Sequence, residues 1–539
     1  MTFTRTMLEV AAADPDRLAL AGDDVRLTYA ELVAEAARIR AGIEALLGAR
    51  GPGDDGSATG ASSATDGIPV IAVSLSRAID VGRLVAGIAS FRAIVAVLDP
   101  LWPRSHRLET VRRVEPALVI TDEPELEAAL ADLEHWHGSA VSLERLEAAA
   151  AAAHASLGPE IRPRDEPFLL LFTSGTTDLP KGFLRTRGSW DVNVAVSRRA
   201  LFAAEGVQTI APGPVSYSLT LYALVEVLAT GGSLFLQSRF DARDAVRTIA
   251  RHGIERFVGV PSMLLALAAA ARREGEASLS SLRWVVTGGA NQSQRIRDAF
   301  TAAAPHARLR SYYGASEIGF IGFSDAGDGT RLTPFDGVEA IVRDDDGAPV
   351  PKGEIGTLHI RVASAVEGYL AATSDDRITG ADGWSSVGDL AAIVDGTIAL
   401  AGRAGDIAVS GGHKVSLPQV ERALATVPGC EQCCAVALPD AALGSIVAVV
   451  VEGPGSDGDE RDAEAPAGEA RAGEREAEHP ATTGVPAKGV MRDALRRLLP
   501  EQFVPRRYYR VDELPRTAGG KIRRTAVAEL VAAGSAERL

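Results

Sequence analysis

The chain has 539 residues, 46% of them hydrophobic, and its formal net charge at pH 7 is −15. A chain of this length exceeds what one hydrophobic core can organise, so we expect two or three domains. The acidic balance argues against nucleic acid as a main partner, because binding a phosphate backbone requires a basic surface.

The amino terminus has no long apolar segment and predicts no secretory signal. No apolar run reaches the length of a membrane span without a charged residue or a glycine. The three cysteines, Cys430, Cys433 and Cys434, indicate a reducing compartment, and a cytoplasmic location is expected. A zinc site needs four ligands and no second cysteine pair is present, so we expect these thiols to pack beside a strand at 435–438.

Strands and helices alternate along most of the chain, which predicts an α/β fold. Thr28 and Glu31 have the spacing of a capping box and predict the start of a helix. Residues 83–97 predict a helix followed by a strand, and apolar runs at 168–172 and 284–287 predict buried strands.

Two stretches interrupt this alternation because they are poor in apolar residues. The first, at about 51–67, is expected to be a flexible surface insertion. The second, at about 453–489, is rich in acidic residues and is expected to be disordered. It could also bind a partner, although a tolerated insertion is the simpler interpretation.

The run 173–182, TSGTTDLPKG, directly follows the buried strand at 168–172. A strand that ends in Gly, Ser and Thr presents free backbone N–H groups and hydroxyl donors that can surround polyphosphate oxygens. Lys181 adds a positive charge for a phosphate group. The spacing differs from that of a Walker A loop, and an ordinary polar surface loop is the alternative.

Two later segments also place turn residues at strand ends. Residues 288–290, Gly-Gly-Ala, would let the backbone approach a planar ring closely. In the run 312–317, a tyrosine beside Gly314 can lie flat against a base, and Ser316 with Glu317 offers oxygen ligands suited to Mg²⁺. The alternative for this run is a strand end with a capping serine.

The carboxyl-terminal part of the chain offers two more candidates. Asp389 lies in a tight turn and could accept hydrogen bonds from ribose hydroxyls, or form an Asx-type turn. Glycines cluster at 402–406 and predict a domain boundary there. Lys521 lies at the tip of a Thr/Gly loop, where it could offset negative charge in another domain's site or remain a solvated basic turn.

Taken in this order, the segments resemble the acyl-adenylating enzyme superfamily, which includes acyl-CoA synthetases, adenylation domains and luciferases. The resemblance runs from about residue 28 to residue 524, apart from the two insertions, and five ordered matches make it specific. It implies a large multi-layer N-terminal adenylate-forming domain at 1–402. It also implies a small, mobile α+β C-terminal domain at 403–539.

The resemblance implies a role for each matching residue. The chemistry would be carried by Lys521, Glu317 and Thr173, with Glu317 also binding Mg²⁺. The residues implied to bind the nucleotide are Ser174, Gly175, Thr176, Thr177, Lys181, Gly288, Gly289, Ala290, Tyr313, Gly314, Ser316, Asp389 and Arg403. The loop implied to reach the thiol acceptor contains Gly412, His413 and Lys414.

The implied reaction has two steps. A carboxylate attacks the α-phosphate of ATP and forms an acyl-adenylate and pyrophosphate, and a thiol such as that of CoA then displaces AMP. The first step brings two anions together, so Mg²⁺ and Lys521 are expected to offset their charge. Family members rotate the C-terminal domain between the steps, so that both reactions share one pocket.

The sequence departs from the family pattern at three positions. Asp178 stands where a glycine is usual, and although aspartate tolerates a left-handed backbone, its charge beside pyrophosphate is unexplained. Gly405 occupies the hinge position, where it should loosen the hinge. Ser316 replaces a commoner threonine and keeps the hydroxyl.

The segment 213–222 corresponds to the acyl-pocket segment of the family. Ser218 stands where amino-acid-activating members place an aspartate, so an ordinary α-amino acid is not expected. Tyr217 would supply an aromatic wall. Three leucines favour an apolar acyl chain, or alternatively belong to a helix core: Leu219, Leu221 and Leu224.

These observations predict an ATP- and Mg²⁺-dependent acid–thiol ligase, most simply an acyl-CoA synthetase for a fatty or related carboxylic acid. One alternative is an adenylating enzyme that loads the phosphopantetheine of an acyl or peptidyl carrier protein. The other is a non-catalytic nucleotide-binding protein of the same fold. Asp178 favours that second alternative, whereas Lys521 and Glu317 argue against it.

Overall fold

The computed structural model describes residues 3–48, 65, 67–153, 157–173, 179–290, 292–410, 413–440, 443–453, 484–499, 501–516 and 522–539. The chain divides into two compact units. The first unit comprises Met1–Val387 and Ala392–Ala399, and the second comprises Gly388–Ala391 and Leu400–Leu539. The predicted domain boundary after residue 402 lies in Thr397–Arg403, the strand in which the chain passes from one unit to the other.

Helices and strands alternate through the first unit. Its helices are α1 (Phe3–Ala13), α2 (Tyr29–Gly48), α3 (Ala78–Ile88), α4 (Arg104–Val114), α5 (Pro124–Ala131), α6 (Leu143–Ala152), α7 (Arg187–Ala200), α8 (Ser218–Thr230), α9 (Ala242–His252), α10 (Pro261–Glu274) and α11 (Gln294–Ala303). Its first strands are β1 (Leu18–Gly22), β2 (Val25–Thr28), β3 (Val70–Ser74), β4 (Ile94–Val97), β5 (Leu118–Thr121), β6 (Ser139–Ser142), β7 (Pro167–Thr173), β8 (Lys181–Thr186) and β9 (Gln208–Pro212). The strands that follow are β10 (Ser233–Gln237), β11 (Arg256–Gly259), β12 (Trp284–Thr287), β13 (Arg308–Ala315), β14 (Gly319–Ser324), β15 (Arg331–Pro334), β16 (Glu339–Arg343) and β17 (Gly356–Arg361). Two further strands, β18 (Asp389–Val394) and β19 (Thr397–Arg403), have residues in both units.

The larger sheet has the strand order β16-β17-β18-β19-β15-β14-β13-β12-β11-β9-β10-β1-β2. The run from β13 to β1 is parallel, so the carboxyl ends of these strands meet at one edge. Helices cover the parallel part and form a core with it that includes Phe257, Leu264 and Phe300, all fully buried. Ligands of open α/β sheets bind at the carboxyl edge of parallel strands, and residues 288–290 follow β12 at that edge.

The smaller sheet has the order β6-β5-β3-β4-β7-β8, in which only the β7–β8 pair is antiparallel. Its strands β3, β4, β5 and β7 are mainly apolar on both faces, as expected for parallel strands covered by helices. Thr173 ends β7 and is paired in register with Lys181, the first residue of β8. The two ends of the predicted phosphate loop are therefore held together by the sheet.

The second unit contains β20 (Ile407–Ser410), β21 (His413–Ser416), β22 (Cys433–Asp440), β23 (Gly444–Glu452), β24 (Arg507–Val511) and β25 (Glu537–Arg538), with α12 (Leu417–Leu424), α13 (Lys488–Leu498) and α14 (Arg524–Ala532). The sheet order is β21-β20-β23-β24-β25, and β22 also pairs with β23. All three cysteines are buried free thiols, and Cys433 and Cys434 lie in β22 itself, so the strand begins before the predicted run at 435–438.

The mixed α/β architecture with a large and a small domain confirms the predicted fold class. The predicted capping box is present: Glu31 N donates to Thr28 Oγ1 at 3.2 Å and Thr28 N to Glu31 Oε2 at 2.8 Å. In the described part of the chain, no helix has both the length and the apolar character needed to cross a membrane.

The two predicted insertions fall largely outside the described residues, which omit 51–64, 66 and 454–483. One correction concerns the carboxyl end of the second stretch. Helix α13 begins at Lys488, so residues 488 and 489 belong to a helix and not to a disordered segment. Val485, just before it, is buried in the core of the second unit and anchors the chain there.

Candidate active site

Glu317 lies in the turn between β13 and β14 and is 7% exposed. Its Oε1 accepts a hydrogen bond of 2.7 Å from the phenol of Tyr369. Thr173, at the end of β7, lies close enough to the same phenol to affect its pKa. Burial and the Glu317 charge raise the pKa of Tyr369, so the phenol stays protonated and acts as a donor to the carboxylate. Two residues predicted from separate motifs, Thr173 and Glu317, thus share one tyrosine.

Lys181 joins the same cluster from the start of β8. Its ammonium lies 5.4 Å from the ring centroid of Tyr369, within the range of a cation–π contact. It also forms an ion pair with the exposed carboxylate of Asp376, and this hydrogen bond lowers the pKa of Asp376. A lysine in this position can exchange its ion pair with Asp376 for one with a bound phosphate.

The segment that carries Tyr369 is irregular, and backbone hydrogen bonds fix it to the site. Val366 N donates to Glu317 O at 2.9 Å, and Leu370 N donates to Gly182 O at 2.7 Å. Arg185, which is fully buried in β8, donates to Ser364 O at 2.6 Å and to Glu317 O at 3.3 Å. The segment therefore connects the phosphate-loop hairpin to the Glu317 turn.

Ser316 and Ser218 are also brought together. The Ser316 hydroxyl donates to the Ser218 hydroxyl at 2.6 Å, although one follows β13 and the other opens α8. Tyr217 immediately precedes α8, and burial together with the charge of Asp99 raises the pKa of its phenol. One predicted acyl-pocket residue, Ser218, thus contacts the predicted nucleotide and metal motif.

Gly288 follows β12, and Gly289 has a φ of +76°, which favours glycine. A Cβ on Gly288 would lie 2.4 Å from the Tyr312 ring, so only glycine permits this approach. Gly288 thus approaches the ring of the chain's own Tyr312, and the predicted contact of 288–290 with a nucleotide stays a prediction. Ala290 is exposed beside it, and Tyr313 and Gly314 lie in β13, next to the Glu317 turn.

Two predicted nucleotide-binding residues lie in the second unit. Arg403 Nε donates to Asp389 Oδ1 at 2.9 Å. Asp389 is mostly buried, whereas the Arg403 side chain is exposed. His413 and Lys414 begin β21 in the same unit.

The remaining predicted residues lie outside the described part of the chain. They are Ser174, Gly175, Thr176, Thr177, Asp178, Gly412 and Lys521. Their assigned roles stay predictions.

The sequence interpretation missed Tyr369 and Asp376. One signal was available: both lie in a stretch between β17 and β18 of more than 25 residues without a helix or named strand. Such long irregular segments inside compact domains are commonly functional. No local motif distinguished the tyrosine, because its role depends on contacts with β8 and the β13–β14 turn.

Comparison with known families decides the assignment. The family model described as "AMP-binding enzyme" matches residues 7–370, and the one described as "AMP-binding enzyme C-terminal domain" matches residues 419–521. The chain belongs to the AMP-binding enzyme family. This confirms the predicted resemblance to the acyl-adenylating superfamily.

Individual relatives agree with the family. An uncharacterized acyl–CoA ligase, YhfT, of Bacillus subtilis is 26% identical over 462 residues, covering 84% of this chain and 89% of the relative. A salicyl-AMP ligase / salicyl-S-ArCP synthetase of Mycobacterium tuberculosis is 27% identical over 488 residues, covering 84% and 81%. The crystal structure of ATP-bound MatB from Rhodopseudomonas palustris superposes with a TM-score of 0.80 at 21% identity, covering 98% of this chain and 99% of that one. The chain is thus an adenylate-forming enzyme of the acid–thiol ligase class.

Proposed function

We propose that this enzyme activates a compact carboxylic acid with ATP and transfers the acyl group to the thiol of CoA. The observation that carries the proposal is the cluster of Thr173, Lys181, Tyr369 and Glu317, which joins the ends of the phosphate loop to a buried carboxylate. A protein that only bound nucleotide would not need a buried carboxylate held by a protonated phenol.

In the first step, a carboxylate oxygen of the acid bonds to the α-phosphorus of ATP. The bond from that phosphorus to the bridging oxygen breaks, and pyrophosphate leaves with the electron pair. Lys181 is available to bind the phosphates, because its partner Asp376 is exposed and easily replaced. Lys521 would offset the charge that develops where carboxylate and phosphate meet.

The residues present also fit Mg²⁺. Magnesium in nucleotide sites commonly uses one or two carboxylates plus phosphate and water oxygens, and here Glu317 supplies the carboxylate. Tyr369 occupies its Oε1, whereas Oε2 accepts no hydrogen bond from any described residue. Bound Mg²⁺ would supply positive charge beside the phosphate oxygens. Among the described residues no cluster of three or more His, Cys, Asp or Glu could hold a metal without the substrate.

In the second step, the thiol loses its proton and its sulfur bonds to the acyl carbon. The bond from that carbon to the AMP oxygen breaks, and AMP leaves with the electron pair. A carrier-protein phosphopantetheine would react in the same way, and the salicyl-S-ArCP synthetase among the relatives keeps this acceptor as the second candidate. CoA is preferred because YhfT, of which the alignment covers 89% against 81% of the salicyl-S-ArCP synthetase, is named an acyl–CoA ligase.

A compact acid is proposed because bulky and charged side chains follow Ser218 along one face of α8. Ser218, Tyr222 and Glu226 are four residues apart and therefore share one face of α8. Tyr222 is stacked on Trp190, with 4.2 Å between ring centroids, and Glu226 forms a buried ion pair of 2.6 Å with Arg256. A long apolar tail directed along this face would meet aromatic rings and then a charged pair.

Tyr312 also limits the space for the acid. Its ring lies against Gly288 and is 4.9 Å from the Phe320 ring centroid, edge to face. Burial and the charge of Glu226 raise the pKa of its phenol. Leu221 and Leu224, two of the leucines that favoured an apolar acyl chain in the sequence, are buried at 1% and 0% exposure. They belong to the core of the protein and give little support to a pocket for a long apolar chain.

Acid-dependent exchange of labelled pyrophosphate into ATP tests the first step, over straight-chain acids from two to sixteen carbons and simple aromatic acids. We expect exchange with the shorter or aromatic acids and little with the longest chains. Acids that support exchange are then offered CoA or a phosphopantetheinylated carrier protein. Acylation of the carrier alone would contradict the CoA proposal. If none of the acids supports exchange, the non-catalytic alternative is favoured.

A further inference from the structure

A cleft lies at the edge of the larger sheet opposite to Gly288. Its lining includes the first residues of three parallel strands: Leu18 of β1, Gln208 of β9 and Ser233 of β10. The cleft has a volume of about 500 Å³. This lies within the usual range for small-molecule sites, of about 300–1,000 Å³.

Four basic side chains line this cleft: Arg17, Arg26, Arg251 and His252. Arg17 is neutralised, because it forms ion pairs with Asp14 at 3.0 Å and with Glu205 at 2.7 Å. In the described chain, neither Arg26 nor Arg251 has a carboxylate within ion-pair distance. Such a concentration of unpaired positive charge is notable in a protein whose net charge is −15.

Two of these groups, from different elements, approach the same aromatic ring. The Arg26 guanidinium, on β2, lies 5.9 Å from the ring centroid of Phe235, and the His252 ring, at the end of α9, lies 5.0 Å from the same centroid. Burial, followed by the charges of Arg26 and Arg251, lowers the pKa of His252. Positive charges at these three groups repel one another, and the carboxylates of Asp14 and Glu205 are already bound to Arg17.

Helix capping accounts for only part of this arrangement. Arg251 and His252 lie in the last turn of α9, where positive charge stabilises the helix dipole. Helix α10 has the same feature in Arg272 and Arg273, yet neither of these arginines lines the cleft. Arg26 belongs to an edge strand, where it contacts the Phe235 ring and stabilises no helix end, so helix capping does not account for its positive charge in the same cleft as Arg251 and His252.

We propose that this cleft is a binding site for a small multivalent oxyanion, separate from the proposed catalytic site. Two arginine forks suit phosphate or carboxylate groups, because each guanidinium can donate two parallel hydrogen bonds to one such group. A bound anion would remove the repulsion among Arg26, Arg251 and His252. The ligand class is a compound with two or more phosphate or carboxylate groups and a size that fits the cleft.

The test uses the full chain with ¹³C-labelled histidine at constant ionic strength. Tripolyphosphate and citrate are titrated separately as probes, and the His252 resonance is identified by its absence in H252Q. We expect a saturable shift and a higher pKa of His252 with at least one probe. The comparison of the probes separates phosphate from carboxylate ligands.

Two double variants complete the test. R26A/R251A should lower the affinity for the probe, measured at the His252 resonance, at least tenfold. R272A/R273A also removes two positive charges, from the end of α10, and should leave this affinity unchanged. Equal melting temperatures of the two variants would show that both fold. The proposal is overturned if His252 shows no saturable response to either probe, or if the response persists unchanged in R26A/R251A.

Discussion

The phenol of Tyr369 donates a hydrogen bond of 2.7 Å to the carboxylate of Glu317, a residue 52 positions earlier in the chain. The same ring lies beside the Lys181 ammonium. One side chain thereby links the cation at the end of the phosphate loop to the carboxylate proposed to bind Mg²⁺. This relationship makes Tyr369 a positioning residue for Glu317.

Tyr369→Phe should lower kcat/KM for acid-dependent pyrophosphate exchange by about ten- to a hundredfold, because a hydrogen bond to a charged group contributes about 1.5–3 kcal/mol. The Mg²⁺ concentration that gives half-maximal activity should also change, since Glu317 loses the donor that fixes it. Steady-state kinetics at varied Mg²⁺ measures both effects.

Tyr508→Phe is the matched control for that variant. The Tyr508 hydroxyl is also buried but has no hydrogen-bond partner among the described residues. Its removal should leave the exchange kinetics unchanged. Equal losses in the two variants would show that the effect of Tyr369→Phe is a general result of losing a buried phenol.

Asp376→Asn should lower the KM for ATP about two- to fivefold at low ionic strength, because the carboxylate competes with phosphate for Lys181. The difference should shrink as salt is added. The neighbouring Asp375→Asn is the control, since that exposed carboxylate forms no ion pair in the described structure. A higher KM in Asp376→Asn would instead mean that the pair orients Lys181 for ATP.

Tyr312→Ala should broaden the range of acids, because it removes the ring that lies against Gly288. The ratio of kcat/KM for hexanoate to that for propionate should rise about tenfold or more, as expected for a change of several methylene groups in a pocket. Tyr312→Phe keeps the ring and should keep the wild-type ratio. An unchanged ratio in Tyr312→Ala, with activity retained, would show that Tyr312 does not limit the acid.

The cysteines give a prediction about pH. Burial raises the pKa of Cys430 and of Cys434 to about 12, whereas an unfolded cysteine titrates near pH 8.5. Above about pH 8.5 the unfolded chain therefore binds fewer protons than the folded one, so stability should fall as the pH rises towards 12. Urea unfolding at pH 7.5 and 9.5 measures this difference.

The same burial predicts how the thiols react. Ellman's reagent should modify no thiol rapidly in the folded protein at pH 8 and all three after unfolding in urea. Rapid modification of a thiol before unfolding would contradict the burial of the cysteines in the second unit.

Much of the fold could be predicted from local pattern. The capping box at Thr28, the buried strand before Thr173 and the strand before Gly288 depend on residues close in sequence, and the structure contains each of them. The end of the insertion was placed wrongly because Lys488 and Gly489 resemble the polar stretch before them. Their helical state depends on packing of Met491 and Leu495 in the core of the second unit.

The sequence by itself determined the family, because the ordered Gly, Ser, Thr and Lys motifs carry their chemistry in residue type and spacing. Only the tertiary structure decided which side chains meet. It brought Tyr369 between Lys181 and Glu317, Ser218 against Ser316, and Tyr312 against Gly288. These contacts join segments tens of residues apart, and they follow from sheet register and helix packing, which no short stretch of sequence contains.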